Sequence, residues 1–288
     1  MFFSFNIINY LFCVSVKRLD KFFCLRIAVA FLLLASISNA VFAAEHYELS
    51  LKKDLSLTFA AAFTSVYGSY RYGQMEIPEP DEVFDSSQLL PWDKPVAGRY
   101  SKSADRASDW VSVLGVAPLA IGGISWYRGD ADGYDFGVFS LMLVQALAIQ
   151  NGINLMVRSL ELWPRPYVYG EEGPAFEKAR DAEGEAYGSF FSGHASAAFT
   201  IAYFTGDWFS EVYPNSRYKG VVWASALSAA SLVGVLRIAA GKHYPTDVVV
   251  GALVGTGVSF SVIELHKKKG DKVSLYADLN SLGFVARF

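Results

Sequence analysis

LRIAAGKHYPTDV, residues 236–248, is the stretch on which the reading of this chain turns. The apolar run before it, 221–240, reads as a helix with Arg237 near its C-terminal end and Gly241 just beyond. Pro245 fits the first position of a following helix, where its missing N–H costs nothing. His243 then lies just outside that second helix and Asp247 lies in its first turn. An aspartate there is favoured by the helix dipole and can turn back to hold an imidazole N–H. A histidine oriented by a carboxylate is the arrangement of a nucleophile or general base. The plainer alternative is a capping aspartate with an incidental histidine beside it.

Two further stretches lie upstream. In FSGH, 191–194, Ser192 and Gly193 precede a helical run that starts near His194, with Ser189 close by. Free N–H groups at a helix start bind anions, and glycine permits close approach. Here the plain alternative is a serine cap with a surface histidine. Arg158 and Arg165-Pro166 place two arginines seven residues apart, with Pro164 and Pro166 ending any regular helix. A guanidinium fork stays charged and pairs with phosphate oxygens bidentately. Arginines flanking an apolar helix at a membrane edge are the alternative. Two of the chain's four histidines belong to this set. Arg158, Arg165, Arg237, His194, His243, Ser192, Gly193 and Asp247 together suit a phosphate oxyanion.

The remainder is apolar and helical in pattern. Hydrophobic residues make up 52% and charged ones 18%, the apolar side of ordinary composition. A net charge of −3 argues against nucleic acid as a partner. The stretches 55–67, 110–126, 136–157, 195–208, 220–240 and 248–265 are helical candidates, several near the length of a membrane span. Small residues crowd the later ones, as in tightly packed membrane helices. An all-α bundle, membrane-embedded or membrane-associated, is expected; an alanine-rich soluble bundle is the rival. Residues 78–106, with Pro78, Pro80, Pro91 and Pro95, read as a polar loop, and 170–185 as a charged one. The tail, 273–288, alternates polar and apolar residues and reads as a short terminal β-strand or ribbon, with 47–51 as a candidate partner.

Lys17, Arg18, Lys21 and Arg26 precede the apolar run 27–37, and Ala40, Ala43 and Ala44 follow. That is the order of a secretory signal cut after Ala43, with an uncleaved anchor as the rival. Cys13 and Cys24 lie in or before this segment, so the remaining chain has no disulfide and no cysteine nucleophile. The expected organisation is a signal or anchor over 1–44, a helix and polar loop over 45–109, a catalytic bundle over 110–265, and a basic segment with a terminal strand over 266–288.

Arg-x6-Arg-Pro, Ser-Gly-His and Arg-x5-His-x3-Asp, in that order, resemble the type 2 phosphatidic acid phosphatase superfamily. That family also includes bacterial class A acid phosphatases and vanadium haloperoxidases. The resemblance covers about 110–265. It departs from the family pattern in Arg158 for lysine, Leu236 for serine before Arg237, and Phe191 for proline before Ser192. It implies that His243 attacks phosphorus with Asp247 orienting it, and that His194 protonates the leaving group. Arg158, Arg165, Arg237, Ser192 and the Gly193 N–H would cradle the oxygens, with no metal and no cofactor. The implied substrate is a lipid phosphate: phosphatidate, phosphatidylglycerol phosphate, undecaprenyl diphosphate or a lipid A phosphate. The basic run 266–269 after the last apolar helix favours the cytoplasmic side. The site would then face the periplasm from a bacterial inner membrane. A soluble periplasmic acid phosphatase, a vanadate-dependent haloperoxidase and a non-enzymatic membrane protein with a relict pocket are the alternatives.

Overall fold

The computed structural model describes residues 46–76, 84–110, 116–160, 163–268, 273–278 and 281–286. The expected signal segment lies outside these residues. Eight α-helices occur among them: α1 (Leu51–Gly73), α2 (Lys102–Trp110), α3 (Ala117–Tyr127), α4 (Gly133–Arg158), α5 (Gly173–Ala182), α6 (Gly193–Val212), α7 (Lys219–Ala239) and α8 (Pro245–His266). Short 3-10 turns punctuate the loops at Pro166–Tyr169 and Glu183–Tyr187.

Local chemistry sets the helix starts. The Asp132 side chain accepts the Asp135 N–H at the head of α4, and Ser192 accepts the Ala195 N–H at the head of α6. Pro245 opens α8 as expected, while Asp247 accepts the Tyr244 N–H at 3.0 Å. Between α7 and α8 the chain reverses at Gly241, whose φ is +68°. A Cβ there would run into the Arg99 carbonyl oxygen, so only glycine fits on both counts.

α1 and α4 run side by side in the same direction. Asp54 meets Gln145, Ser65 meets Gly152, Gly68 meets the Leu155–Met156 backbone, and Tyr72 meets Arg158. α6 and α8 also run parallel, with Gly251 and Gly255 against the backbone of Ser192 and Ser196. Small residues let these axes approach closely, as membrane helices do. The core is filled by Phe139, Met142 and Leu143 of α4, Phe204 and Trp208 of α6, and Val262 and Ile263 of α8. Trp208 is fully buried, with its ring centroid 4.4 Å from that of Phe139.

α4, α7 and α8 are long and apolar enough to cross a membrane. Their outward faces carry exposed Val221, Leu232 and Val235 on α7, and Val249, Leu253 and Phe260 on α8. α1 shows a similar stripe of Leu51, Leu55, Phe59, Phe63, Val66 and Tyr70. Apolar surface of this extent is the mark of a membrane-associated bundle.

The structure corrects three details. Most of the supposed charged loop 170–185 is the helix α5, whereas of the candidate helix over 110–126 the described residues are Trp110, at the end of α2, and α3 from Ala117. Part of the supposed loop 78–106 is the polar helix α2. The tail forms two strands rather than one, β1 (Val273–Asp278) and β2 (Ser281–Ala286), paired antiparallel with Val273 opposite Ala286. Segment 47–51 does not join them; Tyr47 bridges Lys267 instead, and Leu51 opens α1.

Candidate functional site

Four helix termini converge at one end of the bundle. α6 and α8 begin there, directing their positive dipole ends into the same space. α4 and α7 end there, and each carries an arginine in its last turn, Arg158 and Arg237, the sign that a helix C-terminus favours. The three sequence stretches separated by up to 89 residues therefore meet in one cup.

His243 and Asp247 form its floor. His243 Nδ1 stands 3.4 Å from Asp247 Oδ2, and both side chains are almost fully buried. The same oxygen accepts the Ser189 hydroxyl at 2.6 Å and the Tyr244 N–H at 3.0 Å. A carboxylate so held accepts from Nδ1–H, which leaves the lone pair on Nε2. Burial pushes His243 well below the ordinary imidazole range, and the charges of Arg165 and Arg237 push in the same direction. A neutral, oriented imidazole results.

The phosphate-type ligands surround it. Ser192 heads α6, and its N–H donates to the Asp247 carbonyl at 3.0 Å, tying the Ser-Gly-His turn to α8. Asn154 of α4 holds the turn from the other side, donating to the Phe191 carbonyl at 2.6 Å. Arg165 is buried; its Nε donates to the Glu185 carbonyl at 2.9 Å. Arg158 lies under Tyr72, donating to its hydroxyl at 3.2 Å with the guanidinium carbon 4.7 Å from the ring centroid. Gly188 makes room for this pair, since a Cβ would come 2.5 Å from both Arg158 and the Tyr72 hydroxyl. Two buried guanidinium N–H groups, Nε of Arg158 and Nε of Arg237, have no partner. Unpaired buried donors on two cations suit an anionic ligand.

All eight residues singled out in the sequence thus lie at this end of the bundle. Several neighbours had escaped notice. Asp105, Ser108 and Asp109 project from one face of α2 at helical spacing. Arg237 Nη1 lies 3.1 Å from Asp105 Oδ1, 3.0 Å from Ser108 Oγ and 3.6 Å from Asp109 Oδ1. Lys242, buried beside His243, lies 3.2 Å from Glu185 and 3.6 Å from Asp105. Burial opposes ionisation of Glu185, yet Arg165 and Lys242 outweigh it and hold the carboxyl at about 2. Asp109 Oδ1 also reaches His194 Nε2 at 3.4 Å. Cation and anion alternate along Arg165, Glu185, Lys242, Asp105, Arg237 and Asp109, and His194 follows Asp109. The i, i+3, i+4 spacing of Asp105, Ser108 and Asp109 was the available signal for α2; it carried no apolar stripe to reveal a helix. Among the described residues, no group of three or more His, Cys, Asp or Glu could hold a metal ion.

Residues 139–271 match the PAP2 superfamily, an interval that contains all three motifs. No curated protein sequence matches the chain. Among solved structures it is similar to the crystal structure of the first transmembrane PAP2 type phosphatidylglycerolphosphate phosphatase from Bacillus subtilis. That likeness has 17% identity and a TM-score of 0.41, over 75% of this chain and 96% of the other.

Proposed function

We propose that this chain is a phosphoric ester hydrolase of the PAP2 type, which residues 139–271 match, and that it cleaves lipid phosphates through a phosphohistidine on His243. The observation that carries the proposal is the neutral His243, braced by Asp247, beneath three arginines of which two keep an unpartnered N–H.

On this reading His243 Nε2 attacks phosphorus, and an N–P bond forms as the ester O–P bond breaks. His194 gives its proton to the departing oxygen. The same residue, now neutral, takes a proton from water; the water oxygen attacks phosphorus and the N–P bond breaks, releasing inorganic phosphate. Arg158, Arg165 and Arg237 bind the equatorial oxygens, with the Ser192 hydroxyl and the free Gly193 N–H at the head of α6. Charge neutralisation by guanidinium groups takes the part that a metal plays in other phosphatases. The outward apolar faces of α7 and α8 favour a substrate that arrives from the bilayer. The basic residues after α8 favour the cytoplasm, which turns the cup toward the periplasm.

The test is turnover of a panel of phosphatidate, phosphatidylglycerol phosphate, an isoprenyl diphosphate and a soluble phosphomonoester, in EDTA, by protein purified in detergent. Rapid acid-free quenching should trap a base-stable, acid-labile phosphoenzyme that His243→Ala lacks. Turnover that survives His243→Ala, or that demands a divalent cation, would overturn the mechanism; turnover of the soluble ester alone would overturn the lipid substrate.

A further inference from the structure

α2 brings to the cup a carboxylate that the motifs do not contain. Asp109 is largely exposed, at the open side of the site, and its Oδ1 lies 3.4 Å from His194 Nε2. The neighbouring carboxylate on the same helix face, Asp105, is more deeply placed and committed to Arg237, Lys242 and the Tyr100 hydroxyl. Asp109 is the anion in ion-pair range of His194.

His194 has a difficult task on the reading above, because a proton donor must hold its proton beside cations. Arg237 approaches it from the end of α7 and Arg165 from the loop after α4, while His243, at the turn before α8, is neutral. Burial holds His194 below the usual imidazole range, and Arg237 and Arg165 add to that, while the Asp109 carboxylate pulls the other way. Asp109 itself is held below the usual carboxylate range, first by its hydrogen bond with His194. It is therefore an anion while His194 works.

We propose that Asp109 is a positioning residue for proton donation: its carboxylate, 3.4 Å from His194 Nε2, orients the imidazole and favours its protonated form. At 3.4 Å the contact is longer than a tight charge-assisted bond, so the Nε2–H can be shared with a departing oxygen. As the O–P bond breaks and His243 bonds to phosphorus, that proton passes from His194 to the leaving oxygen. Asp109 remains a carboxylate throughout.

This rests on His194 being the proton donor, and leaving-group dependence separates the two claims. An alkyl phosphate needs protonation of its leaving oxygen, whereas a nitrophenyl phosphate with a matching alkyl chain does not. Asp109→Asn should lower kcat/KM for the alkyl ester by roughly tenfold to a hundredfold, a fraction of what general acid catalysis supplies. It should leave the nitrophenyl ester within about threefold and move the alkaline limb of the alkyl-ester profile to lower pH. Asp109→Glu should restore part of the loss, and Asp109→Asn should add nothing to His194→Gln. Equal losses on both esters would make Asp109 merely structural. A gain in activity or a lowered KM in Asp109→Asn would make it a carboxylate that obstructs the cup; either result overturns the proposal. If His194→Gln itself shows no dependence on the leaving group, the assignment of His194 fails instead.

Discussion

Gly251→Ala should disable the site while leaving a folded bundle. Gly251 lies on α8 one turn after Asp247, where α8 presses on the head of α6. A Cβ at this position would come 2.5 Å from the Ser192 carbonyl oxygen and 3.3 Å from the Ala195 Cβ. Ordinary van der Waals contact begins near 3.4 Å, so the head of α6 must retreat by about 0.9 Å, taking 3.4 less 2.5. Ser192, Gly193 and His194 ride on that segment, whereas His243 and Asp247 stay with α8. A displacement near 1 Å between catalytic groups costs on the order of a hundredfold in rate. Overpacking costs roughly 1–3 kcal/mol, offset by about 1 kcal/mol gained when alanine replaces glycine in a helix. Global stability should therefore fall by no more than about 2 kcal/mol. The matched control is Gly257→Ala on the same helix, where a Cβ meets nothing within 4 Å. Thermal melts in detergent and kcat/KM on a lipid phosphate should show Gly257→Ala as active as the parent and Gly251→Ala about a hundredfold slower. If Gly251→Ala keeps activity within twofold of Gly257→Ala, the close approach of α6 and α8 does not set the site's geometry, and the reasoning fails.

Gly188→Ala should act through Arg158, because the new methyl would collide with the Arg158 guanidinium and the Tyr72 hydroxyl at 2.5 Å. Losing one charge-assisted contact is worth about 1.5–3 kcal/mol, roughly tenfold to a hundredfold in kcat/KM, and Arg158→Ala in the same background should add little. Full additivity of the two substitutions would separate Gly188 from Arg158. Glu185 gives a pH dependence of stability. Its carboxyl is held at about 2 against an ordinary 4.5, so the folded state gains from its ionisation above about 4.5 and loses that gain as pH falls toward 2. The melting temperature of the parent should exceed that of Glu185→Gln at pH 6 and converge on it near pH 2.5; a constant gap across that range would remove Arg165 and Lys242 as the cause.

The sequence was most legible where chemistry is dense and local. Residues 236–248 contain a helix end, a left-handed glycine, a proline at a helix start and a capping aspartate, and each has one comfortable backbone solution. His243 and Asp247 could be placed relative to one another for that reason. The long helices followed from length and apolar content, and two of their starts from Ser192 and Pro245. What stayed hidden was the contribution of α2. Residues 102–109 carry few large apolar side chains, so their one signal was the polar spacing of Asp105, Ser108 and Asp109, and their value lies in Asp105 meeting Arg237, 132 residues away. Tyr72 was hidden for a similar reason: its partner Arg158 is 86 residues distant, and nothing local announces a ring under a guanidinium. The self-paired tail was half legible, since alternation marks a strand but does not name its partner.

The charges that escaped the sequence reading balance the cations of the site. Burying three guanidinium groups and an ammonium in a helical bundle is costly unless each finds an anion. Arg237 has Asp105 and Asp109, Lys242 has Glu185 and Asp105, and Arg165 has Glu185. Arg158 is the exception: its side chain meets the hydroxyl and ring of Tyr72, and its Nε is unpartnered. On the proposed reading a phosphoryl dianion meets cations whose charge is already balanced on the α2 and Glu185 side, and an unbalanced one at Arg158. The net pull is then toward Arg158 at the end of α4, whose fork keeps one edge on Tyr72.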